Sequence, residues 1–209
     1  MVYLTTQRIE AFSDGVFAIA ITLLVLEIKV PHIGANGNLW AELGKLWTSY
    51  FGYIFSFFMI GVYWANHHHI FNVYKKSDHY FVLLNVLFLM CISFLPFPTA
   101  VLAEYIAEPE HRQAAMTFYA LGLFLPAFSW FMIWLYASHR HRLIDPKLSA
   151  AYIAKTTRLY VISNILYFAA ILITLWNGIA GLIVCSSLTL LYLQAPAQPT
   201  YVGEPEADV

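Results

Sequence analysis

Charge is what this sequence has least of. Only 11% of its residues are charged, against 60% hydrophobic, whereas a soluble domain carries about 25% charged residues. A soluble globular protein is therefore excluded. Cysteine is almost absent. Cys91 and Cys185 both fall inside apolar runs, which excludes a disulfide framework and makes them small core residues rather than a disulfide or a metal site. The first apolar run has no A-x-A-like cleavage site and is long enough to span a bilayer, so it is expected to be retained. Catalytic constellations are missing too. There is no G-x-S-x-G, no Walker-type glycine loop, no H-E-x-x-H and no carboxylate pair at one depth, so no enzyme is expected. No internal repeat is visible, and the string R-x-x-x-F-S-D occurs once.

What is present is a succession of long apolar runs, the mark of an all-α polytopic membrane protein. Six transmembrane helices can be drawn, over residues 9–30, 47–66, 80–102, 114–137, 159–175 and 179–193. Pro31 closes the first. Pro96 and Pro98 are expected to kink the third or release its carbonyls, and Pro126 lies inside the fourth. Asn177-Gly178 is a turn signal before the short sixth. Residues 1–193 are thus expected to form one six-helix transmembrane domain. Residues 194–209 carry Pro196, Pro199 and Pro205, three acids and no base, the composition of a disordered tail.

Orientation follows from lysine and arginine. With the N-terminus inside, the inner segments hold Arg8, Lys75, Lys76, Arg140, Arg142, Lys147, Lys155 and Arg158, and the outer ones only Lys29, Lys45 and Arg112. Both termini are therefore expected in the cytoplasm, with 138–158 as the main positive-inside loop. The run His139-Arg140-His141-Arg142 reads as a solvated topology determinant, not a nucleic-acid site.

Against this apolar background Asp14 is conspicuous. An acid at the mouth of a span is costly and is a functional candidate by default. The topology brings Arg8, Ser13 and Asp14 to the depth of Trp64, His67 and His68 at the end of the second helix. Ser13 and Asp14 are expected to hydrogen-bond to that group, and Arg8 to offset Asp14. The run His67-His68-His69 admits three readings: a metal or haem site, interfacial structural histidines, or a network coupled to an ion pathway. Consecutive helical residues point about 100° apart, so all three cannot ligate one metal. The cluster is also the best candidate for a pH input. Glu104, Glu108 and Glu110 form an outer acidic loop, read as solvated.

Arg8-x-x-x-Phe12-Ser13-Asp14, Trp64-x-x-His67-His68-x-x-Phe71 and Phe94-Leu95-Pro96-Phe97-Pro98-Thr99 resemble the signature segments of the endolysosomal-type potassium channel family. Its animal members carry two six-helix repeats and its bacterial members one, so this chain resembles the bacterial branch. The resemblance implies a homotetramer around a central pore lined by the first helix of each subunit, with no T-V-G-Y-G filter. Counting from the motif Asp, it implies that Ile19, Leu23 and Leu26 form the apolar constriction and gate, and that Thr22 contributes to selectivity. Phe12 and Val30 continue the same stripe. The implied protein is a multi-pass, modestly potassium-selective channel of a bacterial cell membrane, with lipid and permeant K⁺ as partners and no cofactor or metal. The competing readings are a proton-coupled or cation secondary transporter, which would want a repeat and a midplane acid, and a proton leak channel.

Overall fold

A computed structural model describes residues 5–34, 37–194 and 196–203. It is all-helical. Among the described residues the only extended pairings are two isolated bridges, Tyr74 with Ile144 and Leu148 with Tyr201. Helices dominate because the bilayer core offers backbone groups no partner outside their own segment.

The first helix, α1 (Gln7–Leu23), tightens into a 3-10 turn at Leu24–Glu27, and the chain is extended by Ile28. A short α2 (Leu39–Lys45), capped by the Asn38 side chain accepting from Trp40 N, meets α3 (Trp47–Phe71) at a 50° bend. The third span is α4 (His79–Phe94) followed by α5 (Pro96–Tyr105). The break falls at Leu95, whose N–H turns to Ile92 O, a carbonyl that Pro96 has no N–H to serve. Then come α6 (Arg112–Ser138), which contains Pro126, α7 (Ala150–Thr174) and α8 (Gly178–Leu191).

Among the described residues, four segments are long and apolar enough to cross a membrane: Gln7–Glu27, His79–Tyr105, Arg112–His141 and Ala150–Thr174. The bent pair α2–α3 makes a fifth. The 14 residues of α8 fall below the roughly 20 a full crossing needs.

Several boundaries differ from the sequence expectation. The second span runs on through the histidines to Phe71, since nothing in Trp64–Phe71 breaks a helix. The fifth begins nine residues earlier than expected, where Ser149 Oγ accepts from Tyr152 N and caps it (Ala150 against 159). Lys155 and Arg158 are therefore helical. Val30 lies beyond the helix and does not extend its stripe. Arg142 is no freely solvated charge. Its Nε lies 3.7 Å from Asp78 Oδ2 and its guanidinium stacks 4.5 Å from the Tyr136 ring. Asp78 also caps α4, accepting from Phe81 N, and accepts from the Tyr136 hydroxyl. In the expected disordered tail, Ser149 N donates to Thr200 O and Val202 N to Lys147 O, which pins residues 200–202 to the loop before α7. Residues 204–209 of that tail lie outside the described residues.

Helix α6 is the hub, packing against α4, α5, α7 and α8, while α1 packs against α3 and α4. Within lipid this packing gains little from the hydrophobic effect and rests on close fit and interhelical hydrogen bonds. Gly122 is one such fit: a Cβ there would stand 2.8 Å from Pro98 Cγ. Ser56 on α3 bonds both Thr99 (2.7 Å) and Tyr119 (3.0 Å), tying α3, α5 and α6 together. Cys91 and Cys185 are buried free thiols within the bundle.

Candidate functional site

Helix α1 has two faces. Ile9, Ser13, Phe17, Ala20 and Leu24 recur every three or four residues and are buried against α3 and α4. The opposite face is apolar and uncovered within the subunit: Phe12 is 59% exposed, Ile19 61%, Leu23 41% and Leu26 62%. Ile19 and Leu23, four apart on an α-helix, differ by about 40° in azimuth. Leu23 and Leu26 then eclipse, because the chain from Leu24 is 3-10 and side chains three apart in a 3-10 helix superpose. The 3-10 end thus aligns the three side chains more closely than a continuous α-helix would. Thr22 is exposed beside them, its hydroxyl bonded back to Ala18 O (2.9 Å) and Ile19 O (3.0 Å), which leaves oxygen lone pairs free.

The polar head of α1 makes two separate connections. Trp64 Nε1 donates to Asp14 Oδ1 at 2.9 Å, and the Trp64 ring stacks on His68 with centroids 6.1 Å apart. The other connection is buried. Ser13 Oγ donates to Ile9 O (2.7 Å) and accepts from Asn85 Nδ2 (3.0 Å), while Asn85 Oδ1 faces His67 Nε2 at 3.2 Å. With the amide so oriented, His67 carries its proton on Nε2 and donates. Its ring is enclosed by Phe17, Phe71, Phe88 and Trp130, at centroid distances of 5.5, 4.1, 5.9 and 5.8 Å. One amide on α4 therefore joins α1 to α3.

Of the expected clasp, Asp14 with Trp64, and His68 beside it, are together. Ser13 reaches His67 only through Asn85. Arg8 is exposed and makes no ion pair with Asp14 among the described residues. Six residues of helix place the two about 120° apart in azimuth and about 9 Å apart along the axis. Phe12 stands outside the clasp, on the exposed stripe. Asn85 was missed, although a signal existed: it is the one amide within the apolar run Tyr80–Cys91, and such a group needs a partner. The three histidines diverge as helical spacing requires. His67 turns into the core, His68 to Trp64, and His69 Nε2 is buried with no partner. No group of three metal-ligating side chains occurs among the described residues.

The family model described as "Endosomal/lysosomal potassium channel TMEM175" matches residues 8–96, from the start of the motif through Pro96. A potassium channel of Chamaesiphon minutus is 43% identical over 193 residues, covering 90% of this chain and 93% of that protein. The chain belongs to the TMEM175 family. A potassium channel of Streptomyces collinus is likewise 43% identical over 152 residues, 73% of each chain. The crystal structure of a lysosomal potassium-selective channel TMEM175 homolog from Chamaesiphon minutus superposes with a TM-score of 0.79 at 39% identity, over 90% of this chain and 96% of that one. As a TMEM175-family member the chain is a membrane protein of ion-channel type, not an enzyme, and its surroundings are the lipid bilayer and permeant ions.

Proposed function

We propose that this chain is one subunit of a homotetrameric, modestly potassium-selective channel in a bacterial plasma membrane, with α1 of each subunit lining a central pore. The observation that carries the proposal is the two-faced α1: polar contacts anchor one side, and an aligned apolar stripe on the other is left uncovered by its own subunit. The relatives named as potassium channels support its potassium-channel part.

On this reading α8 serves as a short sixth span, residues 1–193 are the channel domain, and both termini lie in the cytoplasm with the cationic end of the bundle. Four copies of Ile19, Leu23 and Leu26 form stacked apolar rings. A narrow apolar ring expels water and so gates by dewetting. Thr22 hydroxyl oxygens replace part of the hydration shell of K⁺ and favour it over Na⁺. A few hydroxyls supply fewer dipoles than a ring of carbonyls, so the preference is modest. The Ser13–Asn85–His67 chain and the Asp14–Trp64 bond hold α1 against α3 and α4 and set the pose from which it dilates. Permeant K⁺ is the only ligand of the pore, and no cofactor or metal takes part.

Reconstitution of the purified chain into planar bilayers with K⁺ on one side and Na⁺ on the other tests this. The expected result is a current reversing on the K⁺ side of zero, without a coupled ion. A current carried by protons alone, or flux that requires a second ion, would overturn it.

A further inference from the structure

Outside α1, a groove of about 390 Å³ is bounded by α3, α7, α8 and the tail, within the roughly 300–1,000 Å³ of ligand sites. It takes in the early turns of α7, which carry Lys155 and Arg158. Lys155 stands exposed there, with no anionic partner among the described residues. His69, whose Nε2 is buried and unpartnered, lines the same groove. Below Lys155, Leu159, Ile162 and Leu166 line the groove at helical spacing and are themselves exposed. From Lys155 to Leu166 the helix rises about 16 Å, close to half of the roughly 30 Å hydrocarbon core. One wall is the tail, through Gln194, Pro196 and Ala197, held in place by the pairing of residues 200–202 with the loop before α7.

An exposed lysine, a histidine whose ring nitrogen lacks a partner and an apolar trough about half a bilayer long, all lining one groove, match a single chemistry. We propose that this groove binds an anionic phospholipid, with its phosphate on Lys155 and His69 and an acyl chain along Leu159, Ile162 and Leu166. Basic pockets between membrane helices take anionic headgroups in this way, and Lys155 snorkels to meet the phosphate. The His69 nitrogen gains the partner it lacks. The proposal needs only that the chain sits in a bilayer, so it stands or falls independently of the channel reading.

The test is thermal unfolding of the delipidated full chain in detergent, with added phosphatidylglycerol, phosphatidylcholine or inorganic phosphate. Phosphatidylglycerol is expected to raise the midpoint by about 4 °C more than phosphatidylcholine, and inorganic phosphate to leave it unmoved. Lys155→Ala and His69→Phe should each lose at least half of that shift, while Lys147→Ala, outside the groove, keeps it. His69→Phe removes an orphaned nitrogen and is expected to fold. Equal shifts with both lipids, a full shift from inorganic phosphate, an equal loss in Lys147→Ala, or unchanged responses in the groove variants would each overturn the proposal.

Discussion

Asn85 is the residue on which the pose of α1 turns. Its amide satisfies Ser13 on one side and His67 on the other. Removing it strands His67 Nε2 and leaves Ser13 Oγ only its bond to Ile9 O; a stranded buried group costs about 1–3 kcal/mol in water, and less in lipid, where measured interhelical bonds average about 0.6 kcal/mol. Asn85→Ala is therefore expected to lower the unfolding midpoint by a few degrees, whereas Asn66→Ala, at a half-buried site, should have a smaller effect. Equal effects in a thermal scan would show that the bridge contributes nothing particular. At Asp14 the accepting atom matters more than the charge, because its partner is an indole N–H. Asp14→Asn keeps an Oδ1 and should retain most function, while Asp14→Ala should not. Current amplitudes from equal amounts of reconstituted protein compare the two, and equal losses would point to charge instead. If α1 lines the pore as proposed, Leu23→Ser or Leu26→Ser on the exposed stripe should wet the apolar rings and raise single-channel conductance several-fold. Unaltered currents would remove these residues from the pore.

At the scale of elements, proline and glycine decide how closely helices approach. Pro98 on α5 presses on Gly122 of α6, with a virtual Cβ only 2.8 Å from the proline Cγ. The pyrrolidine ring cannot swing aside, so Gly122→Ala forces the helices apart at a cost of about 1–3 kcal/mol. Gly61→Ala on α3 meets nothing within 4 Å in the subunit and should leave subunit stability unchanged or slightly raised by its better helix propensity. A denaturation series on the two variants checks the contrast, and equal stability would contradict the packing described. The 3-10 end of α1 acts at the same scale: it turns Leu26 into line with Leu23 without any change of residue.

Over the whole molecule, the bundle is fastened outside its apolar body by Asp78, which caps α4, receives the Tyr136 hydroxyl from α6 and pairs with Arg142. Asp78→Ala breaks a cap worth about 1 kcal/mol and removes the carboxylate that the Tyr136 hydroxyl and Arg142 share. Its unfolding midpoint should fall further than that of Asp145→Ala, a change confined to one loop turn, where the side chain accepts from Lys147 N. Comparable midpoints would show that the junction is not shared.

The sequence by itself determined that the chain is helical and membrane-bound, because apolar runs with so few charges have no stable place in water and no backbone partner in lipid except their own turns. It also carried the segment, residues 8–96, that the family model matches, and the depth at which Asp14 meets Trp64, since span order alone brings the two helix ends together. Tertiary structure decided what periodicity could not. A helix that is apolar all round has no preferred face until neighbours cover one, so the buried edge of α1 at Ser13 and Phe17, and the exposed one at Ile19, Leu23 and Leu26, emerged only from packing against α3 and α4. The bridging role of Asn85 was likewise hidden, because it depends on the rotation of α4 about its own axis. The same holds for the distance of Arg8 from Asp14, the contacts of Arg142 and the pinned tail. Each depends on where a side chain or strand lands across the bundle, a relation between distant segments that local pattern does not encode.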